Sequence, residues 1–175
     1  EDPCPQAEQT QFGLAISTIT GRASRQRMRD WGGLCAYGPG NAERLARGPV
    51  ETVMIGDSIT ANWQAADPEL FAGPVVNRGI SGQTTAQMLL RFRADVIELR
   101  PKAVVILAGT NDIAGNAGPV TVDQVQDNLA SMAELARSHG IEVVLASLLP
   151  VSDDKKDANG VALTRTRQRP TATIQ

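Results

Sequence analysis

The sequence predicts an α/β fold built on a parallel sheet, and three observations carry that prediction. From Val50 onward, short apolar runs rich in Val and Ile alternate with longer amphipathic segments, which is the rhythm of βαβ units. The runs are near-continuously apolar, Ala103 to Ala108 most clearly, as expected of parallel strands covered on both faces. Each run that matters for chemistry stops in a small, polar turn, and right-handed crossovers bring all strand-to-helix turns to one edge of the sheet.

Taken in order, residues 1 to 48 are mixed. Trp31, Leu34, Tyr37 and Leu45 fall near one helical face, but Gly32, Gly33, Gly38, Pro39 and Gly40 argue for a broken helix. This segment reads as a packing arm without visible chemistry, ahead of a domain over 49–175. Strands are expected at about 51–55, 75–78, 103–108 and 142–147, and helices at about 84–98 and 121–138. In the first helix Met88, Leu89, Phe92, Val96 and Leu99 recur at three- and four-residue steps, with Thr84 or Thr85 as N-cap. Val122, Val125, Leu129, Met132 and Leu135 do the same in the second, and Gly140 supplies its stop. After Pro150 a polar loop leads to Pro170, a residue favoured in a helix's first turn, with Ile174 as an early core-facing position. The sequence reads as ending inside that element, the other reading being a frayed natural tail.

A chain of 175 residues is most simply one domain, burying roughly 70% of its extended surface. A net charge of −2 and a pI near 5.4 give no basic field for nucleic acid. The apolar stretches fall far short of the roughly 20 residues of a membrane span. Cofactors leave no trace, and no Cys-x-x-Cys or Cys/His cluster suggests a metal. Both cysteines, Cys4 and Cys35, lie in the N-terminal fifth. A disulfide between them would tie the arm to the body and place the protein in the periplasm or outside the cell; the alternative is two separate thiols in a cytosolic protein.

The chemistry concentrates in three turns. Val53-Met54-Ile55-Gly56-Asp57-Ser58-Ile59-Thr60 places a serine where an apolar run stops, at the sheet edge where open α/β folds bind ligands. Asn77-Arg78-Gly79-Ile80-Ser81-Gly82 and Gly109-Thr110-Asn111-Asp112 repeat the arrangement. A serine hydroxyl needs a base and needs donors for the oxyanion it creates. The backbone N–H groups of Ser58 and Gly82 and the side-chain amide of Asn111 are candidates for the donors; Gly82 permits close approach and Asn111 adds a directed N–H without charge. Asp57, Ile59 and Trp63 flank the serine as candidates for substrate contact. Asp57 is expected to act through the turn's backbone hydrogen bonds, and Trp63 either lines a pocket or packs in the core.

In this order and at these strand ends, the turns resemble the four sequence blocks of the GDSL, or SGNH, hydrolase family. Gly56-Asp57-Ser58-Ile59, Ile80-Ser81-Gly82-Gln83-Thr84-Thr85 and Gly109-Thr110-Asn111-Asp112 match the first three. The resemblance covers about residues 50 to 150, and the Trp31–Leu45 arm is similar to the leader of bacterial secreted members. It implies a flavodoxin-like three-layer α/β/α fold with a parallel sheet, lacking its C-terminal elements here. It also implies hydrolysis of esters or thioesters through an acyl-serine, with Ser58 as nucleophile and Ser58, Gly82 and Asn111 as oxyanion donors. The fourth block, an Asp-x-x-His that supplies the general base and its orienter, has no counterpart in this sequence.

His139 is the only histidine, and it precedes Gly140 at the end of a helix, on the edge opposite the three turns. It is read as a helix-end cation. Asp112 is expected to brace its own loop, and Asp153 and Asp154 to be solvated. The leading expectation is therefore a serine esterase acting on a small-molecule or carbohydrate ester with a short acyl group such as acetyl. Its base would lie outside this chain or on a companion C-terminal fragment supplying Asp and His. The alternative is a non-catalytic domain that binds an acylated sugar or carboxylate. A nucleotide or phosphoacceptor module is disfavoured, because the first loop lacks a Gly-x-Gly-x-x-Gly or Walker pattern.

Overall fold

The computed structural model of the chain describes residues 30–149 and 159–160. In chain order they form α1 (Gly38–Ala46), β1 (Thr52–Gly56), α2 (Ser58–Ala66), β2 (Val75–Gly79), α3 (Thr85–Asp95), a 3-10 turn (Ile97–Leu99), β3 (Ala103–Leu107), α4 (Thr110–Ile113), α5 (Val122–Ser138) and β4 (Glu142–Leu145). The expectations placed on Cys4, on Asp153 and Asp154 and on the segment around Pro170 lie outside the described residues.

All strand pairings are parallel, in the order β2-β1-β3-β4. The step from β1 to β2 runs one way along the sheet and the two later steps run the other way. Right-handed crossovers then put α2 on one face and α3 with α5 on the other, where those two helices pack together and α1 packs on α3. The result is an α/β/α sandwich with its switch point between β1 and β3, whose carboxyl ends open the crevice where such sheets bind ligands. The register makes the placement specific: Gly56 lies opposite Gly79 on one side and Leu107 on the other. The three turns therefore leave the sheet at the same level.

The core is the expected one. Val53, Ile55, Val76, Val104 and Ile106 of the sheet meet Met88, Phe92, Val96 and Leu99, with Met132 and Ala136 from α5. Thr121 caps α5 through a reciprocal pair with Gln124, at 3.1 Å to its backbone N–H and 2.9 Å in return. Thr84 is the N-cap of α3 and donates its N–H to Gln87 Oε1 at 3.0 Å.

Four expectations change. The segment after Ser58, read as a turn, is the helix α2, because Asp57 caps it by accepting the Ile59 N–H at 2.9 Å. The helix of the arm is broken as expected, but Gly38, Pro39 and Gly40 lie at its start: turns run to Tyr37, and the three residues open α1, with proline at its first positions. The helix expected to run to residue 98 ends at Asp95 and passes into the 3-10 turn, closed by Arg100 at φ 50° just before Pro101. Finally, among the described residues β4 is not covered on both faces: Val144 and Leu145 are 52% and 55% exposed, and β4 is an edge strand bordered by β3.

Candidate active site

Each turn has a reason to be where it is. At Gly56 an added Cβ would stand 2.9 Å from the Leu107 carbonyl oxygen and 2.8 Å from Thr60 Cβ, so only glycine lets β1 turn directly into α2. Ser58 then opens the helix, where the first N–H groups have no partner within the helix and point outward. The second turn is pinned to the first: Ile80 N–H donates to Gly56 O at 2.9 Å, and Tyr37 Oη donates to Gly79 O at 2.6 Å. Gly82 sits at φ +81°, a left-handed conformation that favours glycine. Among the described residues its N–H donates to no backbone carbonyl. The third turn begins at Gly109, at φ +126°, and carries Asn111 in the short helix α4.

Side chains join the three turns. Asn111 Nδ2 donates to Gln83 O at 2.9 Å and to Asp57 Oδ2 at 3.3 Å. Asn116 Nδ2 donates to Asn111 Oδ1 at 2.9 Å and to Gly82 O at 3.3 Å. Asp57 is only 2% exposed and receives Ile59 N–H on one oxygen and Asn111 on the other. Burial raises its pKa above the ordinary value despite those bonds. Ser58 and Ile59 are half-buried, Gly82 is exposed and Asn111 is half-buried. Trp63 is 41% exposed, about 7.5 Å along the α2 axis from Ser58 and turned about 140° from it. Among the described residues no group of three or more His, Cys, Asp or Glu side chains could hold a metal ion.

Asp112, expected to cap or brace its own loop, does more than that. It reaches across to the second turn, where its carboxylate receives Thr85 N–H at 2.9 Å and Thr85 Oγ1 at 2.7 Å, while Asn128 donates to Thr85 Oγ1 at 3.0 Å. The group is 2% exposed, and burial, with a smaller contribution from Asp57, raises its pKa. A carboxyl whose pKa is raised on folding contributes stability that is complete below the unfolded value and lost as pH rises through the folded one. Urea unfolding of Asp112→Asn against the parent should therefore show the parent's relative stability falling as pH climbs from 3.8 through the raised value. A relative stability that rises across that window would contradict this.

His139 caps α5 at its C-terminal end, is exposed, and hydrogen-bonds Leu135 O through Nδ1 at 2.8 Å. Glu142, three residues on, pairs with Ala103 at the start of β3. The length of a five-residue strand, about 16 Å, separates that edge from the turns.

Sequence reasoning missed the polar assembly beneath the turns. Arg91 is fully buried; it donates to Gln83 Oε1 at 2.6 Å, Asp95 Oδ2 at 3.0 Å, Arg78 O at 2.8 Å and Gly56 O at 3.4 Å. Asn41 of the arm joins it, donating to Asp95 Oδ1 at 2.9 Å and accepting from Arg78 at 2.6 Å. Gln83 Nε2 reaches the arm at Gly32 O, 2.9 Å away. The available signal was Arg91 and Asp95, an i, i+4 charge pair set beside the apolar stripe of Met88, Phe92 and Val96.

The fold is thus a doubly wound α/β sandwich that gathers Ser58, the Gly82 turn and the Asn111 amide at its switch point, where such sheets bind ligands. Residues 54–174 match the GDSL-like Lipase/Acylhydrolase family, and the chain belongs to it. It is 38% identical over 109 residues to Esterase TesA of Pseudomonas aeruginosa, covering 55% of this chain and 53% of that protein. It is 33% identical over 123 residues to the uncharacterised lipoprotein YqeF of Bacillus subtilis, covering 60% of this chain and 51% of that one. The crystal structure of a GDSL-like lipase from Bacteroides thetaiotaomicron superimposes with a TM-score of 0.66 at 40% identity, over 77% of this chain and 66% of that chain. The chain spans about half the length of the curated relatives.

Proposed function

We propose that this chain carries the nucleophile and oxyanion-binding part of a serine esterase that cleaves short-acyl carboxylic esters, acetylated carbohydrate among them. The observation that carries the reading is the closure of three separate turns on one another by Asn111, which donates to Gln83 O of the second turn and to Asp57 of the first. Ser58 attacks the ester carbonyl. The N–H groups of Ser58 and Gly82 and the Asn111 amide receive the negative charge that develops on its oxygen, each such donor contributing roughly 3–4 kcal/mol to the barrier reduction. The 3.3 Å contact to Asp57 is at the weak end of hydrogen bonding, and it is the one the oxyanion displaces. Asp57 is a positioning group, held away from solvent with both oxygens engaged.

The proton of Ser58 passes to a general base. Among the described residues no histidine stands near Ser58, since His139 lies at the far edge, and the base is expected from an Asp-His pair on a companion segment. The short-acyl preference follows from the polar character of the loop edge, where Ser81, Gly82, Asn111 and Asn116 are exposed or half-exposed. Rates of hydrolysis of nitrophenyl esters by the full-length protein, from acetate to dodecanoate, test both parts. Highest kcat/KM on acetate is expected; a long-chain preference overturns the acyl assignment, and inertness toward every ester overturns the esterase.

The same reading places the protein outside the cytoplasm. A disulfide between Cys4 and Cys35, the two cysteines of the chain, would persist in an oxidising compartment, and the relative YqeF is a lipoprotein. Among the described residues no helix is long and apolar enough to cross a membrane. Alkylation without reduction should leave both cysteines unmodified, and modification of both would exclude the disulfide.

A further inference from the structure

We infer that Asn116 is a positioning residue for the oxyanion hole, fixing both which end of the Asn111 amide faces the reacting carbonyl and how the Gly82 peptide is set. The inference rests on the hydrolase reading above. A carboxamide has a donor end and an acceptor end of nearly equal shape, so an asparagine that must donate to an oxyanion needs something to prevent its flipping. Here the chain of donors and acceptors has one consistent assignment. Gln83 O is a carbonyl and can only accept, so the group 2.9 Å from it is Asn111 Nδ2. Asn111 Oδ1 therefore faces Asn116, which must present its own Nδ2, at 2.9 Å. The second hydrogen of that amide points to Gly82 O at 3.3 Å, again an acceptor only.

Both components of the hole that do not belong to the nucleophile are thus held by one side chain. The need is greatest at Gly82, which has the widest conformational freedom of any residue and whose carbonyl accepts from Asn116. Asn116 is itself well placed to hold them. Its N–H donates to Asn111 O at 3.0 Å, and the turn that carries it is closed by Gly115 N–H to Asp112 O at 3.0 Å and Gly118 N–H to Gly115 O at 3.1 Å, with Gly115 at φ +72°. The side chain is exposed, so its contribution is to orientation rather than to the core.

Substitution separates these roles. Asn116→Ala removes the two donors. Asn116→Asp replaces them with an acceptor facing two acceptors, so Asn111 Oδ1 and Gly82 O are repelled from residue 116 and both the Asn111 amide and the Gly82 peptide leave the positions from which they donate to the oxyanion. In the full-length protein, kcat on a nitrophenyl ester should fall about tenfold in Asn116→Ala and about 100-fold in Asn116→Asp, the latter matching loss of one oxyanion donor. KM and the thermal midpoint should stay at the parent values. As an independent readout, the Asn111 side-chain amide resonances should shift in the aspartate variant more than in the alanine one. Parent-like kcat in Asn116→Asp with an active parent overturns the inference alone, as does a loss confined to KM. A parent that hydrolyses no ester and is unreactive at Ser58 overturns the hydrolase reading, and this inference with it.

Discussion

Ser58→Ala should lower ester turnover by the full-length protein by about four to six orders of magnitude, the range seen when a serine nucleophile is removed from a working site. The size follows from the architecture: Ser58 stands at the end of β1 and opens the helix α2, where its hydroxyl and N–H face the crevice edge together. Folding should be untouched. The cap of α2 is Asp57 accepting from Ile59 N–H, and the close approach at Gly56 involves Thr60 and Leu107; neither uses the serine side chain. A thermal midpoint equal to the parent's, with activity at the background rate, is the expected pair of results. Turnover within tenfold of the parent would mean that the chemistry is done elsewhere.

The largest effect on stability is expected at Arg91. Replacing it with methionine keeps the stem's volume, but leaves Asp95 buried without its ion pair and removes the donor from Arg78 O and Gln83 Oε1. Breaking one side of a buried pair costs about 3–5 kcal/mol, because the charge left behind has no water to return to. The double change Arg91→Met with Asp95→Leu should recover a substantial part of that loss, since removing both charges ends the desolvation penalty. Urea unfolding of the single and double variants checks this. A single variant within about 1 kcal/mol of the parent would show that the pair is dispensable.

The same residue explains what the sequence could and could not tell. The strands and the two long helices were legible because period and composition agree: Val53, Ile55, Val104 and Ile106 are buried as an apolar run predicts, and Thr121 with Gln124 spells its own cap. The helix α2 was not legible, because Ser58-Ile59-Thr60-Ala61-Asn62 has a weak helical pattern and its start depends on one side-chain bond from Asp57. Nor was the arm's function. Tyr37, Asn41 and Gly32 lie 42 to 54 positions from the groups they bond, Gly79, Asp95 and Gln83. Long-range polar pairing of that kind leaves no local period to read.

At the site, residue type and order make Ser58, Gly82 and Asn111 candidates, and the structure adds what spacing cannot encode. The equal level of Gly56, Gly79 and Leu107 across three strands brings the turns together. The groups that orient them are Asn116, five residues past Asn111, which donates, and Asp112, whose carboxylate accepts from Thr85, 27 positions away. Asp112 is thus a brace between turns.

The account stands or falls on Ser58 being the nucleophile, and covalent labelling with a fluorophosphonate tests that most directly. The full-length protein, treated with the probe and analysed by intact mass and peptide mapping, should gain one adduct, carried by the peptide that contains Ser58, and Ser58→Ala should gain none. No adduct on the full-length protein, or an adduct on another residue that persists in Ser58→Ala, would contradict the claim.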